Sequence, residues 1–220
     1  QLADLSGSRI PSISDDGDRV TFTNFGSGIA PDDGAANSES VYLRSITAGT
    51  TEVVSRATGT GAGAPALRGK ASSISGDGRT VAFAATDAAY TTDDDDSRAP
   101  HVYQRRLGTH ATAPDTTLFL DRPTGTAPFT GTSDVDDAQI HPGSTSWDGR
   151  YVAFVSAADN VVPGQDNGVL NAFVRDTVTG TTEQVNAGHA GSSVSRVALS
   201  ADGRTALYVP DGDAYVRDLE

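Results

Sequence analysis

The stretch "SWDGRYVAFVSA", residues 146–157, is a Ser-x-Asp-Gly turn running straight into a strand in which large and small apolar residues alternate. Asp-Gly between alternating apolar segments is a strong short-range hairpin signal, because glycine accepts the positive φ that such a turn demands. Nearly the same phrase occurs four times: "SISDDGDRVTFTN" (12–24), "SISGDGRTVAFAA" (73–85), "STSWDGRYVAFVS" (144–156) and "ALSADGRTALYVP" (198–210). The turn glycines Gly17, Gly78, Gly149 and Gly203 stand 61, 71 and 54 residues apart, so each phrase opens a unit longer than one hairpin.

Outward from each hairpin, a loop leads to a third strand: "SVYLRSI" (40–46), "HVYQRRL" (101–107), "NAFVRDT" (171–177) and "DAYVRDL" (213–219). In the first and third units a tight turn through "TAGTTEVV" and "VTGTTEQV" supplies a fourth strand, and "TTLFLDR" (116–122) plays that part in the second. No convincing helical periodicity interrupts the pattern. Four strands per repeat describe a blade, and the predicted fold class is an all-β, β-propeller domain of four four-stranded antiparallel blades.

One domain is expected over 1–220, with blades roughly at 9–56, 71–122, 140–186 and 195–219. The fourth unit ends after its third strand, while "QLADLS" (1–6) sits where a fourth strand would precede an innermost one. The expectation is that the N-terminal strand, residues 1–6, completes the last blade and removes two exposed edges. A slice of a longer propeller and two copies sharing one larger ring are the alternatives.

The phrase Ser-x-Asp-Gly-Arg-x-Val-Ala-Phe resembles the TolB-type propeller repeat, a relative of the WD repeat. The third unit extends the likeness through "DNVVPGQDNGVLNAFVRDTVTGTTEQV", which is similar to a variety common in secreted actinobacterial proteins. The resemblance covers essentially the whole chain and implies the fold. Repeats of this type serve as binding platforms, as accessory domains of peptidases and occasionally as enzymes. The family's third strand usually opens on an acidic residue. Here that position reads Ser40, His101, Asn171 and Asp213, so only the last unit keeps it.

Composition narrows the function. The 220 residues carry a formal net charge of −13 and contain neither cysteine nor methionine. The charge argues against a nucleic-acid partner, since phosphate binding relies on Lys and Arg. Missing cysteine excludes disulfide and thiolate chemistry. No apolar run approaches a membrane span, so no membrane insertion is expected. The single lysine, the wealth of Asp, Gly, Thr and Ala and the non-Met first residue suggest a processed bacterial protein, secreted, periplasmic or at the cell surface.

The repeated residues read as scaffold. Asp16, Asp77, Asp148 and Asp202 precede the turn glycines, where a short acceptor bonds nearby amides. Phe22, Phe83, Phe154 and Tyr208 occupy one position on the second strands and should pack between blades. Function is then sought where the units differ. The connections near 24–40, 57–71, 85–100, 123–141, 157–170 and 187–195 are long and should gather at one end of the blades. They carry Asp32 and Asp33, Asp94 and Asp95, Asp136 and Asp137, and Asp166 as candidate binding residues. The other end carries the turn arginines Arg19, Arg79, Arg150 and Arg204.

Oxygen-rich loops suit calcium, which takes 6–8 oxygen ligands in flexible geometry. "DNVVPGQDNG" offers Asp159, Asn160, Asp166 and Asn167 as candidate metal ligands. Neither that stretch nor the run Asp93–Asp96 has EF-hand spacing, and turn-forming Asp and Asn explain both equally well. The four histidines are His101, His110, His141 and His189, with no pair at chelating spacing. The expected role is a non-catalytic binding or assembly module, not an enzyme, for a protein, peptide or glycan partner. The alternatives are a secreted hydrolase or lyase using loop histidines and carboxylates, and a scaffold fragment of a larger protein. A histidine clustered with two carboxylates at the channel mouth would favour the enzyme; scattered histidines would favour the binder.

Overall fold

Each Ser-x-Asp-Gly phrase closes into the same hydrogen-bonded box. The hydroxyls of Ser14, Ser75, Ser146 and Ser200 accept the amide N–H five residues on at 2.9–3.0 Å. The same hydroxyls donate to Asp16, Asp77, Asp148 and Asp202 at 2.6–2.9 Å. Each carboxylate also accepts the amide two residues further along at 2.9–3.1 Å. The turn glycines adopt φ of +71, +70, +71 and +74°, a region that costs any β-branched residue dearly. The computed structural model describes residues 8–26, 28–31, 39–59, 69–85, 90–91, 100–108, 115–125, 138–158, 160–164, 167–189 and 191–219.

Around these turns the chain lays down four antiparallel sheets in sequence order. β1 (Arg9–Ile13), β2 (Arg19–Asn24), β3 (Ser40–Ser45) and β4 (Thr50–Val53) form the first blade. β5 (Gly69–Ile74), β6 (Thr80–Ala85), β7 (His101–Arg106) and β8 (Thr116–Phe119) form the second. The third contains β9 (Tyr151–Ser156), β10 (Asn171–Asp176) and β11 (Thr181–Gln184), and the fourth β12 (Val194–Leu199), β13 (Thr205–Pro210) and β14 (Tyr215–Asp218). The only helical element among the described residues is a single 3-10 turn at Ala187–His189.

The third blade corrects the expectation of four regular strands. Its innermost strand survives only as two bridges, Gln139 to Val155 and Thr145 to Val152. Between them His141-Pro142-Gly143 forms a turn, with Gly143 at φ +83° and the Ser144 amide donating to the His141 carbonyl at 3.1 Å. Proline has no N–H to give a ladder, so the strand bulges there. Milder bulges interrupt β1, β5 and β12 at a similar level. The fourth blade shows three strands, and residues 1–6, expected to supply the fourth, lie outside the described residues.

The expectation that the repeated aromatics pack between blades holds for Phe83, Phe154 and Tyr208, which lie in clusters shared with the preceding blade, while Phe22 packs with Ala30, Tyr42 and Val53 of its own blade. Phe22, Phe83, Phe154 and Tyr208 each stack on their cross-strand partner, Tyr42, Tyr103, Phe173 and Tyr215, with centroids 5.4–5.8 Å apart and interplanar angles of 18–28°. Such a pair contributes about 0.5–1.5 kcal/mol beyond the area it buries. Three apolar clusters glue successive blades. Val41, Leu43 and Val54 of the first meet Ile74, Val81 and Phe83 of the second. Ala82, Val102 and Leu120 meet Ile140, Val152 and Phe154, and Ala153, Ala172 and Val174 meet Val197, Ala206 and Tyr208. Among the described residues no comparable cluster joins the fourth blade to the first.

A column of arginines, Arg44, Arg105, Arg175 and Arg217, belongs to the third strands. Arg105 forks onto the carbonyls of Ala57 and Gly59 at 2.8 and 2.7 Å and onto Asp115 at 2.9 Å. Arg175 does the same with Pro123 and Gly125 at 3.0 and 2.8 Å, and Arg217 with Gln184 and Val185 at 2.6 and 3.0 Å. Arg105, Arg175 and Arg217 therefore pin the connection leaving the preceding blade, whereas Arg44 donates to Gly49 and Thr51 of its own hairpin. Burial lowers the Arg175 guanidinium to about 10, and nearby Arg122 adds to the effect.

Candidate binding face

The two ends of the blades differ in kind. At the turn end, a backbone bond joins the second-strand entry to the third-strand exit in every blade: Ile46 to Asp18, Leu107 to Arg79, Thr177 to Arg150 and Leu219 to Arg204, at 2.8–3.0 Å. Turns of four residues join β3 to β4 and β10 to β11 at this end, while residues 107–115 join β7 to β8 there. The connections between second and third strands leave from the other end.

What holds that end together is a bracket at the start of the third strand in the first three blades. In the first blade the Val41 amide donates to Ser55 Oγ at 3.0 Å. In the second the Val102 amide donates to Asp121 Oδ1 at 2.9 Å, and His101 Nδ1 lies 3.0 Å from Asp121 Oδ2, both side chains being buried. In the third the Ala172 amide donates to Asn186 Oδ1 at 3.0 Å, and Asn186 Nδ2 reaches Asn171 Oδ1 at 3.0 Å. Sequence reasoning missed this device. Its first column was visible as Ser40, His101 and Asn171, but its partner lies 15–20 residues on and changes chemistry with it.

The predicted binding residues Asp32, Asp33, Asp94, Asp95, Asp136, Asp137 and Asp166, and the metal candidate Asp159, lie outside the described residues. Asn160 and Asn167 are placed. Asn160 Oδ1 is buried and has no hydrogen-bond partner among the described residues. Asn167 belongs to an amide network: its Oδ1 accepts Asn171 Nδ2 at 3.0 Å and the Val169 amide at 3.3 Å. No group of three or more His, Asp or Glu side chains at metal-binding spacing occurs among the described residues.

The three described histidines sit in three different places. His101 is bound into the bracket of the second blade. His141 occupies the bulge of the third blade, where burial and, secondarily, the charge of Arg196 depress its pKa below the ordinary value. His189 follows the third blade, with Nδ1 3.0 Å from Tyr208 Oη and its ring on Tyr215 at 4.1 Å. None brings two carboxylates together. Near the inner strands, Glu39 has its pKa raised by burial although Arg9 and Lys70 act against the shift.

Two grooves open between blades at the turn end. One, of about 340 Å³, is lined by Asp77, Arg79, Thr80, Arg106, Asp148 and Arg150. The other, of about 220 Å³, lies between Tyr151, Asp176, Glu183 and Arg204. Their charged walls are already engaged: Arg150 forms a bidentate pair with Asp176 at 2.7 and 3.1 Å, and Arg106 donates to Thr177 Oγ1 at 2.6 Å. Trp147 covers Gly76 of the neighbouring blade, where an added Cβ would come within 2.2 Å of the indole.

No protein-family model matches the chain, and no curated protein matches it. Solved structures do. TolB of Acinetobacter baumannii superposes with a TM-score of 0.56 at 19% identity, over 96% of this chain and 41% of that one. The fold is that of a TolB-type propeller. A TolB protein of Agrobacterium tumefaciens gives a TM-score of 0.53 at 15% identity, over 95% of this chain and 56% of that one. The tricorn protease gives 0.50 at 13% identity, over 96% of this chain and 21% of that one. The chain thus spans only about half, or less, of these proteins. No helix among the described residues is long and apolar enough to cross a membrane.

Proposed function

We propose that this TolB-type propeller is a non-catalytic binding module of an exported protein, offering the end with the long connections to a protein partner. A peptide or a glycan is the alternative ligand for the same end. The observation that carries the reading is the scattering of the histidines: His101 is held within the second blade, His141 in the bulge of the third and His189 after the third, and the repeated Asp and Ser side chains are engaged in the turn scaffold. Variation is then left to the connections, where loops on a rigid frame ordinarily bind. The acidic sequence of those connections favours a basic partner surface, whose attraction would be screened by salt within about 10 Å at 0.1 M.

Calcium is proposed as an accessory ligand of the 159–167 loop, supported by Asn160 Oδ1, which has no hydrogen-bond partner among the described residues. The experiment combines loop variants with binding. Asp94→Ala and Asp136→Ala should weaken capture of immobilised basic peptides, and 0.5 M salt should weaken it further. Binding indifferent to both changes would remove the acidic connections from the interface. Hydrolysis of peptide or ester substrates that disappears in His141→Ala would favour an enzyme instead.

A further inference from the structure

The innermost strands of the four blades are all irregular at one level, and each irregularity holds a basic side chain. Five residues before the box serines Ser14, Ser75 and Ser146 stand Arg9, Lys70 and His141, and Arg196 stands four before Ser200. The register slips between Arg9 and Ser12, between Gly69 and Ala71 and between Val194 and Val197. In the third blade the strand is broken between Gln139 and Thr145. A bulge leaves a residue outside the ladder and re-aims its side chain. Arg9, Lys70 and Arg196 are exposed, and His141 is half-buried.

The inner strands stand side by side. The Ile74 amide donates to Ser12 Oγ at 3.2 Å, the Ser144 amide to Ser73 Oγ at 3.1 Å, and Ser144 Oγ to the Val197 carbonyl at 3.2 Å. The bulges lie at the starts of these strands, away from the turn boxes. The Gly69 amide donates to the Glu39 carbonyl, just before β3, at 2.9 Å, which sets this level at the end where the second-to-third connections leave. Neighbouring members feel one another there. Arg196 adds to the burial that depresses the His141 pKa, and Arg9 and Lys70 both act on Glu39 against its burial. Arg9 also lies over the Phe25 ring at 5.9 Å. Among the described residues no hydrogen bond engages the charged ends of Lys70 and Arg196, and His141 Nδ1 is buried without a partner.

We propose that Lys70, His141 and Arg196, with Arg9 at the flank, form a basic arc that binds a small oxyanion bearing two or more negative charges. In blade order His141 lies between Lys70 and Arg196, and the three come from three separate strands. A ligand with several charged oxygens can meet more than one of them, and each such contact is a charge-assisted hydrogen bond. Glu39 is the described carboxylate that opposes the arc, and it acts at the Arg9 and Lys70 side only. The chain as a whole carries −13, so its overall field repels anions and any affinity for one is local. The site is separate from the acidic connections and does not rest on the role proposed for them.

The test is isothermal titration calorimetry of the 220-residue chain with inorganic pyrophosphate in calcium-free, low-salt buffer, with citrate as a second probe. Saturable binding is expected. Lys70→Ala and Arg196→Ala should each weaken it about tenfold, the loss of one hydrogen bond to a charged group. Both side chains are exposed, so the far-UV spectrum and Tm should not change. Arg79→Ala, in the arginine-lined groove at the turn end, should leave binding intact. Binding of both probes would support an arc that reads charge, and binding of one alone would assign it to phosphoryl or to carboxylate ligands. Failure of both probes to bind would overturn the proposal. So would binding that survives the double variant Lys70→Ala, Arg196→Ala, or that disappears in Arg79→Ala.

Discussion

At the scale of single residues, the turn glycines separate two costs. Gly49 and Gly149 share a positive φ, +68 and +71°, but a side chain at Gly49 would meet open space while one at Gly149 would lie 2.3 Å from Thr80 Oγ1. Gly49→Val should therefore cost only backbone strain, about 1–3 kcal/mol. Gly149→Val should cost a further 1–3 kcal/mol, roughly, because a closely packed blade junction must open. Urea denaturation of the two variants checks the difference. His141 gives a second prediction. Its folded pKa is depressed by burial, so the unfolded chain takes up a proton first as pH falls below about 6.5. Stability present above that value should decline from pH 7 toward pH 5, and His141→Gln should flatten the decline in a thermal melt series.

At the scale of elements, the third strands carry the tie between one blade and the next. Lysine cannot reproduce the planar fork by which Arg105 satisfies several carbonyls and Asp115. Arg105→Lys should lower stability by about 2–4 kcal/mol, since buried acceptors lose their donors. Arg44→Lys, at the half-buried counterpart that donates to Gly49 and Thr51 of its own hairpin among the described residues, should stay within about 0.5 kcal/mol. The Arg150–Asp176 pair joins β9 to β10. The Arg150 guanidinium, together with the amides of Val178 and Thr179, holds the Asp176 carboxyl well below the usual carboxylate range. Its contribution is complete above about pH 4 and lost as pH falls toward the folded value. Asp176→Asn should therefore remove part of the acid sensitivity measured between pH 4 and pH 2. Both arginine columns were legible in the aligned repeats. The brackets were not, because Ser55, Asp121 and Asn186 accept the amides of Val41, Val102 and Ala172 with three different chemistries.

At the scale of the molecule, the acidic connections can be tested without knowing the partner. If the 159–167 loop holds calcium, millimolar Ca²⁺ should raise Tm in a concentration-dependent way, because a ligand bound only by the folded chain stabilises it by mass action. Asp166→Ala should reduce that rise, while Asp77→Ala, in a turn box at the other end, should lower Tm and leave the rise intact. What the sequence determined by itself was the blade: the Asp-Gly turns, the alternation on the second strands and the stacked aromatic column are local, and each is specified within about a dozen neighbouring residues. The regularity of the third blade was decided by a local signal too, His141-Pro142-Gly143, whose effect on the innermost strand emerged only with its partner strand in place. The tertiary structure alone decided which faces are covered. Leu43, Gln104, Val174 and Val216 occupy one column of the repeat, yet three are buried and one is exposed. Burial belongs to the neighbour as much as to the residue, and a sequence does not show where a neighbour is missing.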